Sequence, residues 1–184
     1  VAAAGLSLGE FTAHAAAGTY SFEEGLRLVQ KRGAFMEEAC NATKGTMAAM
    51  IGGTDENVIK LAQECDVDVA NFNCPGQTVV SGTEEGVAKA VAGAKAAGCK
   101  IAKKLNVAGA YHSRLMHSAM VKLAEELKNI SFGTPSMPVY CNYEARVVEG
   151  PDDIRSMLEH QVCGSVRWTA SFSLNWGRAR RWPA

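Results

Sequence analysis

The sequence predicts an α/β fold with a compact β-α-β-β-α-β unit set between two flanking, helix-rich stretches. Three observations carry this. Between residues 45 and 107, short apolar runs alternate with capped helix-forming runs in that order. The turn residues Pro75-Gly76-Gln77 separate two of the strand runs, and Gly98 ends the second helix run. The flanks, in contrast, carry longer patterns of helical period. A β-α-β-β-α-β unit of about 60 residues is the ferredoxin-like arrangement.

Along the chain, residues 1–4 are small and apolar and suit the end of a buried strand. Residues 8–18, LGEFTAHAAAG, are helix formers that stop at Gly18, a C-terminal capping signal. Residues 21–40 open with Ser21 and carry Glu24 three positions on, the pattern of a capping box. Their apolar positions Phe22, Leu26, Val29, Phe35 and Met36 keep a helical period. The middle unit then reads as strand 45–53, helix 54–65 with Thr54 as N-cap, strand 67–73, strand 78–82, helix 83–98 and strand 99–107. Residues 108–116 form a loop, 117–130 an amphipathic helix, and 138–148 a strand-like stretch. Residues 151–162 form a helix opened by Pro151, with Asp152 and Asp153 as favourable N-terminal charges. After Glu159 there is no acidic residue, and the end, SFSLNWGRARRWPA, has neither helical nor alternating period.

Composition narrows the function classes. The chain has 184 residues, 47% hydrophobic and 21% charged, enough for a sizeable core. Nineteen basic residues balance nineteen acidic ones, so nothing global points to nucleic acid or an anionic membrane. Six scattered cysteines without a CxxC pair argue for reduced thiols in a cytoplasmic setting, and against a zinc site. No apolar run approaches the roughly 20 residues of a membrane helix, and no signal peptide is visible. The chain lacks an initiator Met and reaches its first motif at residue 5, so it reads as a fragment.

That motif is Gly5-Leu6-Ser7-Leu8-Gly9. A strand that turns sharply into a helix holds its turn residue in a strained conformation, and flanking glycines let strand and helix approach. The serine Oγ is then presented at the tip, in front of a helix N-terminus that favours negative charge. The N–H of Leu8 can serve as an oxyanion donor. The competing reading is a Gly/Ser capping turn. A nucleophilic serine needs a base. His14 falls one to two turns into the same helix and reads as a helix-surface residue, while His117 and His160 have charged neighbours and read as exposed. His112, in a loop among small residues (GAYHS), is the best placed of the four.

GLSLGEFTAHAAAGTYSFEEGLRLVQKRGAFME, GTMAAMIG, NFNCPGQTVVSG, VAGAYHSRLM and VRWTAS, in this order, resemble the malonyl-CoA:acyl carrier protein transacylases and the related acyltransferase domains of fatty acid and polyketide synthases. The resemblance covers about residues 1–171. It implies an α/β-hydrolase-like large domain, here incomplete (1–44 and 108–171), with an inserted ferredoxin-like small domain (45–107) and an aberrant or unstructured tail (172–184). It implies Ser7 as the nucleophile that carries a malonyl ester and His112 as general base and acid, held by a main-chain carbonyl rather than an aspartate. Arg32 matches the arginine that pairs with the malonyl carboxylate, as a bidentate guanidinium can. On its own, Arg32 reads as a helix-surface arginine. Tyr111 is similar to the aromatic residue before the histidine in malonyl-selective members, where its ring would crowd a 2-methyl group. Asn73 and Gln77 are expected either to face the cleft between the domains or to cap the turn. Malonyl-CoA and phosphopantetheinylated acyl carrier protein are the implied substrates, with no cofactor, metal, nucleic acid or membrane.

The sequence also departs from the family pattern. Leu6 stands where the family usually has histidine beside the serine. The family's N-terminal segment, with its loop supplying a second oxyanion donor, has no counterpart, and FSLNWGRARRWPA replaces the family's later Gly-Pro-Gly loop. These departures lead one to expect a fragment with impaired or no activity and exposed strand edges. Two other readings remain: a serine hydrolase or thioesterase using the same serine and base, and a non-catalytic binding module built on residues 45–107.

Overall fold

The computed structural model describes residues 1–173. Two sheets organise the chain. The smaller pairs β1 (Ala3–Ala4) with β6 (Val139–Tyr140) in parallel. The larger has four antiparallel strands in the order β3-β4-β2-β5: β2 (Gly45–Ile51), β3 (Asp68–Cys74), β4 (Gln77–Thr83) and β5 (Ile101–Lys104).

The helices distribute between them. Around the small sheet lie α1 (Leu8–Ala16), α2 (Phe22–Ala42), α5 (His117–Lys128) and α6 (Pro151–Gln161). Their apolar faces meet in one core that includes Phe11, Leu28, Met116, Leu123, Leu127, Ile154 and Leu158. The larger sheet is covered by α3 (Asp55–Glu64) and α4 (Glu84–Gly93), which enclose a second core around Met50, Val58, Val80 and Val87. The final α7 (Trp168–Ser173) packs on β3. The tail expected at 172–184 therefore starts two residues inside a helix, and the rest of it lies outside the described residues.

Local chemistry explains most boundaries. Ser21 and Glu24 form the full capping box at the start of α2. Thr54 and Thr83 each accept a hydrogen bond from the third residue of the helix they open. Asp153 takes both Arg146 guanidinium nitrogens at 2.7 Å besides lying in the first turn of α6.

Several expectations are corrected. The stretch 138–148 forms only a two-residue strand, after which an isolated bridge joins Tyr140 to Val147. The helix expected over 83–98 ends at Gly93 and continues as turns. In α2 the buried face is Gly25, Leu28, Arg32, Met36 and Ala39, so Phe22 and Leu26 are exposed instead of inside. His14 is fully buried, not on the helix surface. Its ring lies by Tyr20, its Nδ1 is 3.2 Å from the Thr19 hydroxyl, and burial lowers its pKa to about 4. The compact helix pair α1–α2 folds over that position, which periodicity within α1 alone does not reveal. His160 is half-buried and stacks on Tyr143.

The junction between sheets is direct. Val166 bridges to Asn71 on β3, donates its N–H to Ala70 O and accepts from Phe72 N–H, at 2.8 and 2.9 Å. The Ser165 and Thr169 hydroxyls donate to the β3 carbonyls of Val69 and Phe72.

The turn from β1 into α1 is tightest at Gly5. A Cβ there would sit 2.0 Å from the carbonyl carbon and oxygen of Gly9, whereas a Cβ on Gly9 would meet nothing within 4 Å. Only one of the two glycines is thus required for close approach. Gly5→Ala is expected to destabilise the chain by about 3 kcal/mol or more, because two backbones must separate. Gly9→Ala should be neutral or stabilising by up to about 1 kcal/mol, because alanine is the better helix former. Urea denaturation of the two variants measures both effects.

Candidate active site

Ser7 sits between β1 and α1 with φ 53° and ψ −106°, a strained region for a residue with a side chain. Its side chain makes no capping bond to the helix and is free to point outward. Leu8, as the first residue of α1, has an N–H with no intrahelical acceptor, aimed from the positive end of the helix.

His112 arrives from the loop after β5, also at positive φ (55°). Its Nε2 lies 2.8 Å from Ser7 Oγ, although the two residues are 105 positions apart. Its Nδ1 lies 2.8 Å from the main-chain oxygen of Gln161 at the end of α6. A carbonyl can only accept, so Nδ1 carries the proton and Nε2 offers a lone pair to the serine hydroxyl. Burial, aided by the nearby Arg32 charge, lowers the His112 pKa to about 4, so the ring is neutral at pH 7.

Arg32 completes the cluster. It projects from the buried face of α2, over the Phe11 ring, and donates through Nη2 to Ser7 Oγ at 2.9 Å and to Gln161 Oε1 at 3.1 Å. It is 6% exposed, and burial lowers its pKa to about 10, so it remains a cation at pH 7.

A cleft of about 620 Å³ opens over these groups. Its floor is Ser7, Arg32 and His112, and its walls include Leu8, Met36, Met47, Asn71 and Tyr111. Leu6, which stands where the resembled family usually has histidine, also lines it and is 41% exposed. Tyr111 stands beside His112, half-buried, close to Cys40. Asn73 and Gln77 do not reach this cleft. Gln77 is exposed and accepts from the Cys74 thiol across the turn, and Asn73 is half-buried on β3. The polar side chain of β3 that lines the cleft is Asn71. Register shifts on either side of it, between Val69 and Asn71 and between Phe72 and Cys74, upset a simple alternating count.

Three buried residues that sequence reasoning did not single out hold the cluster. Asn142 accepts the Ser7 N–H at Oδ1 (2.6 Å) and donates to Gly5 O (2.8 Å), spanning the turn. Gln161 donates through Nε2 to Ser7 O (2.9 Å) and Glu10 Oε2 (2.7 Å). Glu10 Oε2 also accepts the Asn142 N–H at 3.0 Å. Burial raises the Glu10 pKa to about 7 against the lowering effect of these bonds and of Arg32. Asn142 follows the short strand β6 and Gln161 ends α6. Neither has a local pattern that marks it, because both partners lie more than 130 positions away.

The arrangement offers a hydroxyl with a neutral base on one side, a fixed cation on the other, and a helix N-terminus behind. This chemistry suits acyl transfer through a serine ester to or from an acyl group that bears a carboxylate.

Comparison with known proteins points the same way. The chain is 42% identical over 172 residues to the malonyl CoA-acyl carrier protein transacylase of Escherichia coli (strain K12), covering 91% of this chain and 56% of that protein. It is 41% identical over 175 residues to the Bacillus subtilis (strain 168) protein of the same name, covering 92% and 55%. Among solved structures, an acyl carrier protein S-malonyltransferase from Vibrio cholerae superposes with a TM-score of 0.93 at 35% identity, covering 96% of this chain and 59% of that one. A malonyl-transacylase solved in complex with its type II polyketide acyl carrier protein gives a TM-score of 0.89 at 38% identity, covering 95% and 58%. The chain spans a little over half the length of the curated relatives it matches. With the Acyl transferase domain matching residues 2–173, the chain belongs to the acyl transferase domain family.

Proposed function

We propose that this chain carries the malonyl transfer centre of its family. A malonyl group moves from coenzyme A to Ser7, and from Ser7 to the phosphopantetheine thiol of an acyl carrier protein. The observation that carries this reading is the convergence of His112 Nε2 and Arg32 Nη2 on Ser7 Oγ, at 2.8 and 2.9 Å. Fold order supports it. The β3-β4-β2-β5 sheet with α3 and α4 on one face fits a ferredoxin-like small domain over 45–107. The β1–β6 pair with its helices fits part of an α/β-hydrolase-like large domain over 1–44 and 108–171.

In this mechanism Ser7 Oγ attacks the thioester carbonyl as its proton passes to His112 Nε2. The Oγ–C bond forms, the oxyanion faces the Leu8 N–H, and the C–S bond then breaks. His112 returns the proton to the departing thiolate, and the second half-reaction runs the same steps in reverse with the carrier thiol. The Gln161 carbonyl steadies the transient imidazolium. Arg32 donates to the free malonyl carboxylate in place of its contact with Ser7, and the Tyr111 ring beside His112 limits branching at C2. A hydrolase of the same type would need an apolar pocket where Arg32 stands, so the cation favours transfer of a charged acyl group. The expected setting is cytoplasmic; none of the described helices is long and apolar enough to cross a membrane.

Three measurements test this. Mass spectrometry of the chain after malonyl-CoA should find malonate on Ser7, absent in Ser7→Ala, and passed to holo acyl carrier protein. Rapid release of malonate to water instead would favour the hydrolase. Arg32→Ala should lower the rate of Ser7 acylation by malonyl-CoA by roughly 2–5 kcal/mol, about 30-fold to several thousand-fold, with far less effect on acetyl-CoA. Equal losses for both acyl groups would remove its assignment as a carboxylate clamp.

The pH dependence is the third. His112 has a folded pKa near 4, below its unfolded value of 6.5. Its contribution to stability is therefore present above pH 6.5 and is lost as pH falls through about 4. Its competence as a base follows the folded value. Ser7 acylation, measured where circular dichroism shows the chain folded, should keep its base-dependent limb near pH 4–5. A limb centred on pH 6.5 would mean a solvated ring and a looser site.

A further inference from the structure

We propose that Glu10 is a positioning residue: one oxygen of its buried carboxylate sets the relative placement of the Ser7 turn, the His112 imidazole and the Arg32 guanidinium. The proposal rests on the roles given above to Ser7 and His112. Glu10 lies in the first turn of α1, fully buried, and touches none of the three groups through a hydrogen bond of its own. Its Oε2 instead receives two donors, the Asn142 N–H at 3.0 Å and the Gln161 amide at 2.7 Å. Each of those residues then makes the direct contacts. Asn142 holds both sides of the turn, at Ser7 N and Gly5 O. Gln161 holds Ser7 O with its amide, Arg32 with its Oε1 and His112 Nδ1 with its main-chain oxygen.

The residue type fits this task. The surroundings are rich in donors: a main-chain N–H, a side-chain amide and a guanidinium. A carboxylate only accepts, and a single oxygen can take two donors. An isolated buried carboxylate is costly, and purely structural packing would be met as well by an apolar residue of similar volume. Glu10 Oε1 and Arg32 Nε are both buried without a hydrogen-bond partner among the described residues, while the opposite charges of the two side chains act on each other. In its ionised form Glu10 is thus also the buried counter-charge to the cation on the cleft floor.

The test reads the placement of Ser7 and His112 without the natural substrate. Phenylmethylsulfonyl fluoride sulfonylates an activated serine with loss of fluoride, and intact-mass spectrometry follows its rate at Ser7. The downfield proton resonance of His112 Nδ1–H reports the bond to Gln161 O. Glu10→Met keeps the volume and removes the acceptor. It should slow labelling about 10- to 100-fold, the scale of a small misplacement, and shift or broaden the His112 resonance. Glu10→Gln still offers one oxygen to both donors and should label within about threefold of the parent, a hydrogen bond to a neutral acceptor being only moderately weaker. Parental labelling in a folded Glu10→Met, or equal loss in both variants, would overturn the proposal. Should Glu10→Met not fold, Asn142→Ser severs the same tie at its Ser7 end, with slow labelling expected and parental labelling contrary. A parent chain inert at Ser7 would overturn both this proposal and the serine's role. A parent that labels normally but never transfers malonate would overturn only the reaction proposed above.

Discussion

The constraint on which the site depends is the contact of two backbones at Gly5 and Gly9. Because strand and helix meet with no room for a side chain at Gly5, the chain must reverse direction within the intervening residues. Ser7 takes up that reversal in a conformation that costs on the order of 1–3 kcal/mol. The strain has a geometric product. Oγ stands clear of the helix, and the first N–H groups of α1 face the same space. Asn142 grips the turn from beneath, through Ser7 N and Gly5 O, and so offsets the strain with two hydrogen bonds. Ser7 is held by its backbone, which leaves its side chain free to meet His112 and Arg32.

Burial then decides the charge states. Glu10, Arg32 and His112 are all nearly sealed from water, and desolvation is the largest influence on each. It acts in the direction of neutrality for all three, but from different starting points. Histidine begins near 6.5 and becomes neutral at working pH, with Gln161 O fixing its tautomer. Arginine begins so high that it stays charged. Glutamate is drawn to the middle, near 7, by burial against two donors and a cation. The result is a buried floor with a neutral imidazole and a fixed positive charge side by side.

The sequence made punctuation legible and long-range polar ties invisible. The capping box of α2, the N-cap threonine of α3 and the turn at Pro75–Gly76 are local signals, and each lies where the pattern put it. Ser7, His112 and Arg32 stand out through an elbow pattern and a resemblance, and they converge. On β3, where register shifts flank Asn71, that residue and not the expected Asn73 lines the cleft. Helical period misjudged α2, whose Phe22 and Leu26 look out while Arg32 looks in. A pattern treats arginine as surface by default; the Phe11 ring, the Gln161 amide oxygen and the Ser7 hydroxyl together make an interior place for it. Glu10, Asn142 and Gln161 carry no pattern at all. A polar residue that bonds across more than 130 positions is ordinary within its own segment.

The two sheets divide the work of the cleft. Ser7, Arg32 and the Gln161 carbonyl belong to the elements around β1 and β6, whereas Met47 and Asn71 come from β2 and β3 of the larger sheet. The cleft can keep a fixed width only if the sheets are locked together. Val166, with Ser165 and Thr169, lashes the α6–α7 connection along β3. On the other side Arg114, two residues after His112, binds Asp68 at the start of β3 through its N–H and its guanidinium, and reaches Asp66 as well. These latter ion pairs are exposed and weak singly, but the main-chain bond among them is directional. The histidine loop is therefore tied to the same strand that supplies Asn71. The wall that carries Asn71 and the loop that carries His112 are thus fixed to one another through β3.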